Sequence, residues 1–366
     1  MRLISLKAIS SGMVLGRSIR NDAGHALLQE NIALTDAMIN RLRELEVQYV
    51  YIHDELSKGI EIPELIPFEK RHASIKTIKE TFREINPTNL KKSSYVIDQQ
   101  SKQLFQMVDE VMGQLLVQDD LMMILGDVVL YDSYIFQHSF QVMLYSIQIA
   151  KELGYSYEEI RTIGMGALLH DVGKMVISSD ILFKKDKLDE EEYELVKKHA
   201  RVGFDILRGV HSISLKIAHC AFQHHERLDG SGYPRNLLDF EIHPYAKIIA
   251  VADVFDAVTS DRVYKEKMLP NIGLDVIRAG KGTLFDPKIV DALCRVISPY
   301  PNGTMVLLSD GSKGIVTKQN QQDPSNPVLR IFEKSGQMLQ ATFVSDLNEN
   351  RELHIIQVIT DYNAEK

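Results

Sequence analysis

The hydrophobic pattern changes character twice along this chain. Short extended runs come first: Arg17 to Leu28 holds two of them around Asn21-Asp22-Ala23-Gly24, a turn signal. Thr35 then caps a helix whose apolar residues Met38, Ile39, Leu42 and Leu45 recur at helical spacing. Val47 to Ile52, rich in β-branched and aromatic side chains, predicts a strand. Pro63 and Pro67 punctuate the chain, and residues 68–116 carry charge at helical periodicity. From 119 to 298 the pattern is that of amphipathic helices. After Tyr300-Pro301-Asn302-Gly303 it reverts to short strand-like runs, TMVLL, GIVTK, PVLRIF and HIIQVI, separated by Asp310-Gly311, Pro324 and Gly336. A small β-barrel or sandwich is expected there. The fold class is therefore multidomain: a small N-terminal α/β unit at 1–62, connecting helices at 63–118, an all-α bundle at 119–298 and a small β-rich domain at 299–366.

Composition adds bounds to this picture. A chain of 366 residues, 45% hydrophobic and 25% charged, suits two or three globular domains rather than one core. The net charge of −8 argues against polymeric nucleic acid as a partner, since that needs a basic surface to displace counterions. A small anionic ligand remains compatible, because a metal ion or a few basic residues can reverse the field in one cleft. Two cysteines, Cys220 and Cys294, suit a reducing compartment. Lys and Arg interrupt the N-terminal apolar residues, and no stretch approaches about 18 uncharged apolar residues. A cytoplasmic protein without a membrane span is expected.

The chemistry concentrates in the helical segment. Of the 12 histidines, His170, His199, His211, His219, His224 and His225 crowd into one short stretch, where even spacing would place about two. In ALLHDVGKMVI, Asp171 shares a helical face with Ile160, Ile163 and Ala167, so the His170-Asp171 pair points inward. His199 lies on a face with Val196, Gly203 and Leu207. His224-His225-Glu226 follows the periodic Ile213, Ile217 and Ala221, and Asp253 shares a face with Ala246, Ile249, Ala250 and Ala257. His138 sits in the apolar helix YIFQHSFQVMLYSI. Each alone reads as a hydrogen-bonded core residue. Together, on helices of one domain, they call for a cation, because buried imidazole and carboxylate without a partner are costly.

These strings resemble the HD-GYP family. HDVGK at 170–174, HHERLDGSGYP at 224–234 and VADVFDA at 251–257 stand in the family's order and approximate spacing, over roughly half the chain. The resemblance implies an HD-type helical bundle as catalytic core and a metal-dependent phosphodiesterase acting on a cyclic dinucleotide. It implies a first metal held by His138, His170, Asp171 and Asp253, and a second by His199, His224 and His225, with Asp171 bridging. Some relatives hold a third metal through a Glu at the position of Tyr134, so two divalent ions, iron or manganese, are expected here. The residue after His199 is Ala200, where the family often has Pro; this bears on helix geometry more than on ligation.

Two metals about 3.5–4 Å apart can acidify a bridging water to hydroxide and neutralise charge on the phosphoryl oxygens. Lys174, one turn after His170, is expected to reach a phosphate oxygen. Gly232, Tyr233 and Pro234 form a loop that the resemblance places beside the metals, and Arg262 and Lys265 resemble residues that contact dinucleotide phosphates. Asp286 before Pro287 reads as a turn that begins a helix. The expected reaction is hydrolysis of cyclic di-GMP to linear pGpG or GMP. Cyclic GMP-AMP is the rival substrate, and a receptor that binds without turnover is the rival class. The terminal domains carry no catalytic cluster and suit regulation or contact with signalling proteins; the helices at 68–116 suit a homodimer interface.

Overall fold

A computed structural model describes residues 1–362 apart from 22, 118–127, 131–133, 185 and 261–267. It divides into two compact units. One gathers residues 1–64, 120–132 and 297–366, and the other gathers 65–119 and 133–296.

In the first unit, strand β5 (Tyr49–His53) lies between β1 (Arg2–Ser5) and β2 (Val14–Leu15), antiparallel to both. The turn at Asn21–Gly24 joins β3 (Ile19–Asn21) to β4 (Ala26–Leu28), and β6 (Val128–Leu130) runs parallel to β3. Helix α1 (Asp36–Glu44) starts as its sequence indicates, with the Thr35 hydroxyl oxygen accepting from the Met38 N–H at 3.3 Å. It buries Ile39 and Leu42 against Ile4, Leu15, Val50 and Ile52.

Five antiparallel strands complete this unit in the order β10-β9-β8-β7-β11: β7 (Met305–Leu308), β8 (Lys313–Lys318), β9 (Val328–Lys334), β10 (Gln337–Asp346) and β11 (Ile355–Ile359). Strand β10 has no counterpart in the hydrophobic pattern, because it is an edge strand exposed on both faces for most of its length. Its placement comes from the turn instead. Ser335 and Gly336 both adopt positive φ, 52° and 75°, which suits a two-residue hairpin between Lys334 and Gln337.

The second unit is helical. It contains α2 (Phe68–Arg83) and α3 (Leu90–Leu115), the segments whose sequence suggests connectors, together with α4 (Tyr134–Glu152), α5 (Tyr157–Leu169), α6 (Ser179–Leu182), α7 (Glu190–Leu207), α8 (Leu215–Gln223), α9 (Pro244–Thr259), α10 (Pro270–Ala279) and α11 (Pro287–Val296). Helix α4 packs on α5 and α9, while α8 packs on α5, α7 and α9. Small residues permit this closeness. A Cβ added at Gly166 on α5 would lie 2.8 Å from the Cys220 sulfur on α8. Helix α9 carries Ala246, Ala250 and Ala252, all buried.

Local signals fix where the helices begin. Asp286 Oδ1 accepts from the Lys288 N–H at 2.8 Å, and Pro287 opens α11. Helix α7 opens with a capping box in which Asp189 accepts from the Glu192 N–H and Glu192 accepts from the Asp189 N–H. Replacing Asp189 by Ala is expected to destabilise the helical unit by about 1 kcal/mol. Urea unfolding followed by far-UV circular dichroism would measure it, and an unchanged midpoint would refute the expectation.

Candidate metal centre

The seven histidines and aspartates singled out from the sequence come from five helices and converge. His138 lies within α4, His170 caps the C-terminus of α5 and Asp171 follows it, and His199 lies within α7. His224 caps the C-terminus of α8 with His225 next to it, and Asp253 lies within α9. Two C-terminal helix ends thus present adjacent donors where the chain leaves the helix. His170, Asp171 and His224 have no exposed surface at all.

A glycine sets how closely these elements meet. After Asp171 the chain makes a short 3-10 turn, Val172–Val176, against α7. A Cβ at Gly173 would lie 2.0 Å from the His199 carbonyl oxygen and 2.6 Å from the Gly203 nitrogen. Only glycine lets the turn approach that near. The result is contact between Asp171 and His199, 28 positions apart in sequence by their residue numbers, with Nε2 3.4 Å from Oδ1.

The two oxygens of Asp171 face different sets of donors. Oδ2 lies 3.3 Å from His170 Nε2 and 3.5 Å from His138 Nε2. Oδ1 lies 3.4 Å from His199 Nε2 and 3.8 Å from His224 Nε2. His225 Nε2 is 3.2 Å from His199 Nε2, and His199 Nε2 is 3.3 Å from His224 Nε2. Donor atoms of Asp171, His199, His224 and His225 fall within 4.8 Å of one another, as do those of His138, His170 and Asp171. Asp253 joins from α9, its Oδ1 3.1 Å from His138 Nε2 and its Oδ2 3.6 Å from His225 Nδ1.

The imidazoles are aimed by their other nitrogen. His170, His199 and His224 turn Nδ1 towards the carbonyl oxygens of Ala167 (2.7 Å), Val196 (2.6 Å) and Ala221 (2.9 Å) in their own helices. Nδ1 then carries the proton, and Nε2 presents a lone pair to the cluster. Buried and without hydrogen-bond partners are His170 Nε2 and Asp171 Oδ1, both facing the cluster. Burial holds His224 and His225 well below the usual histidine range and His199 down at about 4, so these rings are neutral and able to ligate. Burial opposes ionisation of Asp171 and Asp253, yet Lys174 and His170 beside Asp171, and the hydrogen bond from His138 with His225 beside Asp253, keep both carboxyls well below the usual range. His138 behaves differently. Burial pulls it down, but hydrogen bonds to Asp253 and Asp256 outweigh this and raise it to about 9. Neutral imidazoles at His199, His224 and His225, ionised carboxylates and unpaired inward-facing atoms fit a site for two divalent metal ions, and on His138 a bound cation would take the place of the proton.

Lys174, expected to reach towards a phosphate, is partly buried and has its ammonium 2.5 Å from Asp171 Oδ2. The loop at Asp229–Pro234 lies beside the histidines. A Cβ at Gly232 would sit 2.4 Å from both the Arg227 nitrogen and the Glu226 Cα, so the loop folds directly onto the chain that carries His225. The Tyr233 N–H donates to the His225 carbonyl at 3.2 Å, and its ring stacks on the His225 imidazole at 4.6 Å between centroids. The Tyr233–Pro234 bond is cis. Arg262 and Lys265 lie outside the described residues, as does the side chain of Tyr134.

Two residues of this region were not singled out from the sequence. Glu226 is buried, and its two oxygens accept the N–H groups of Arg235 (2.8 Å) and Leu237 (2.9 Å), which closes the Asp229–Pro234 loop over the site. Asp256, one turn after Asp253, meets His138 Nδ1 at 2.6 Å. The signal was available in both cases: Glu226 adjoins the His pair, and Asp256 shares the inward face of α9 with Asp253.

A bundle in which separate helices send histidines and aspartates to one buried double cluster defines the class of HD domains. Residues 128–289 match the family described as HD domain. Over that segment the chain is similar to HD domains.

A cyclic di-GMP phosphodiesterase of Pseudomonas aeruginosa is 29% identical over 321 residues, covering 81% of this chain and 76% of that protein. The cyclic di-GMP phosphodiesterase response regulator RpfG of Xanthomonas campestris is 47% identical over 40% of this chain and 39% of its own. The 3′3′-cGAMP-specific phosphodiesterase 3 of Vibrio cholerae is 36% identical over 45% of this chain and 36% of its own. The chain thus spans well under two thirds of the last two. Among the described residues no helix is long and apolar enough to cross a membrane.

Proposed function

We propose that this protein is a metal-dependent phosphodiesterase that hydrolyses a cyclic dinucleotide, with cyclic di-GMP as substrate and linear pGpG or GMP as product. The observation that carries the reading is the division of Asp171, whose two buried oxygens face two separate groups of histidines. One divalent ion would be held by His138, His170, Asp171 and Asp253, and a second by His199, His224, His225 and the other oxygen of Asp171. The donors are nitrogen and oxygen without thiolate, which suits iron or manganese. Bound together, two such ions supply Lewis acidity that activates water and neutralises phosphoryl charge.

The chain's own residues do the remaining work. Helix packing fixes the donors before substrate arrives, so little reorganisation accompanies reaction. Lys174 holds positive charge at the edge of the cluster, where a phosphodiester oxygen would compete with Asp171 for its ammonium. The stacked ring of Tyr233 covers His225 and keeps water from that side of the imidazole. Arg262 and Lys265 would contact the phosphates of the dinucleotide, the planar guanidinium matching two oxygens at once.

The test is anaerobic purification with metal analysis, followed by product identification from cyclic di-GMP with manganese or iron added. Two ions per chain and a linear product are expected, and a chelator should remove both. A His170→Ala, Asp171→Ala variant should lack turnover. Binding of the dinucleotide without turnover by the native protein would replace the enzyme with a receptor. The similarity to a 3′3′-cGAMP-specific enzyme sustains a second substrate reading, decided by the ratio of kcat/KM for the two dinucleotides.

A further inference from the structure

The four histidines that meet Asp171 are not anchored alike. His170, His199 and His224 rest their Nδ1 on backbone carbonyls, anchors that no side-chain replacement elsewhere can remove. His138 alone among them rests on a carboxylate, Asp256 Oδ2, at 2.6 Å. The partner is itself fixed. Asp256 is 1% exposed, and its other oxygen accepts the Ser260 hydroxyl at 2.8 Å. The carboxylate therefore has one oxygen on His138 and one on Ser260, both within reach of the C-terminal half of α9.

The geometry points to Asp256 as a positioning residue that locks His138 with its Nε2 facing Asp171 and Asp253, and that strengthens this nitrogen as a metal donor. The assignment rests on the metal-site reading above and deepens it. An imidazole backed by a carboxylate is a more basic donor than one backed by a carbonyl. Asp256 stands behind only the His138–His170 side of the cluster, which faces Asp253 Oδ1 and Asp171 Oδ2, the oxygen that Lys174 also meets, while Asp253 Oδ2 turns to His225. The His199–His224 side faces Asp171 Oδ1. The two metal positions are therefore unequal, and Asp256 acts on one of them.

The experiment is calorimetric titration of the metal-free full chain with manganese, native beside Asp256→Asn and Ser260→Ala. Asn has the shape of Asp and can still accept from Nδ1, but it lacks the charge. In Asp256→Asn one of the two equivalents should weaken by about 10–100-fold while the other moves far less. Ser260→Ala should weaken the same equivalent by a smaller factor, with an unaltered circular dichroism spectrum. Two equivalents of native affinity in Asp256→Asn would overturn the assignment. So would equal loss of both equivalents with a lowered melting temperature, which is what a purely structural residue predicts. Should Asp256→Asn fail to fold, native affinities in Ser260→Ala overturn it instead. A native chain that binds no manganese or iron would remove the metal-site reading itself, an outcome separate from all of these.

Discussion

Replacing Asp171 by Asn should lower kcat/KM for a cyclic dinucleotide by at least roughly 10³-fold, more than the about 10–100-fold typical of residues that only support a metal ligand. The carboxylate divides its oxygens between two groups of histidines, so its donor atoms belong to both. Asn keeps the shape but offers a carbonyl to one group and an N–H donor to the other. An amide N–H cannot ligate a cation, and the exchange also removes the carboxylate that lies 2.5 Å from the Lys174 ammonium. Metal content should fall below two per chain while the circular dichroism spectrum is kept, since the exchange is nearly isosteric. Retention of two ions with activity within tenfold of native would show that Asp171 does not hold both.

Replacing Gly173 by Ala should destabilise the helical unit by about 3 kcal/mol or more, at the upper end of what overpacking costs. The added methyl would meet the His199 carbonyl oxygen at 2.0 Å and the Gly203 nitrogen at 2.6 Å. Both are backbone atoms of α7, so no side chain can turn aside to make room. The turn and the helix must separate, and the distance between Asp171 and His199 opens with them. Melting temperature and metal retention should therefore fall together. Gly113 on α3 gives the contrast, because a Cβ there meets nothing within 4 Å. Gly113→Ala is expected to stabilise by about 0.5–1 kcal/mol. Equal melting temperatures for the two variants would show that the close approach at Gly173 is not a constraint.

Much of this centre is legible in the sequence. His170, Asp171, His199, His224, His225 and Asp253 announce themselves by breaking apolar helical faces, and His138 does so in an otherwise aromatic and aliphatic helix. Periodicity locates such residues because burial is decided locally, by the face of the helix. It does not give the partner. Asp256 shares its face with Asp253, but the ring it meets lies 118 positions away, and only the packing of α4 on α9 joins them. The role of Glu226 is hidden for a related reason: its partners are backbone N–H groups, which carry no mark in the sequence. The terminal strands divide in the same way. β7, β8, β9 and β11 follow apolar runs, whereas β10 is exposed on both faces and depends on the backbone geometry of a two-residue turn.

The placement of donors on five helices has a consequence for biosynthesis. A ribosome delivers α4 first and α9 last, so a nascent chain already displays His138, His170 and Asp171 while Asp253 is still unmade. The full donor set exists only once Asp253 has left the exit tunnel and α9 has docked. Loading of the first position would thus come late in maturation, whereas the donors proposed for the second, Asp171, His199, His224 and His225, all precede α9.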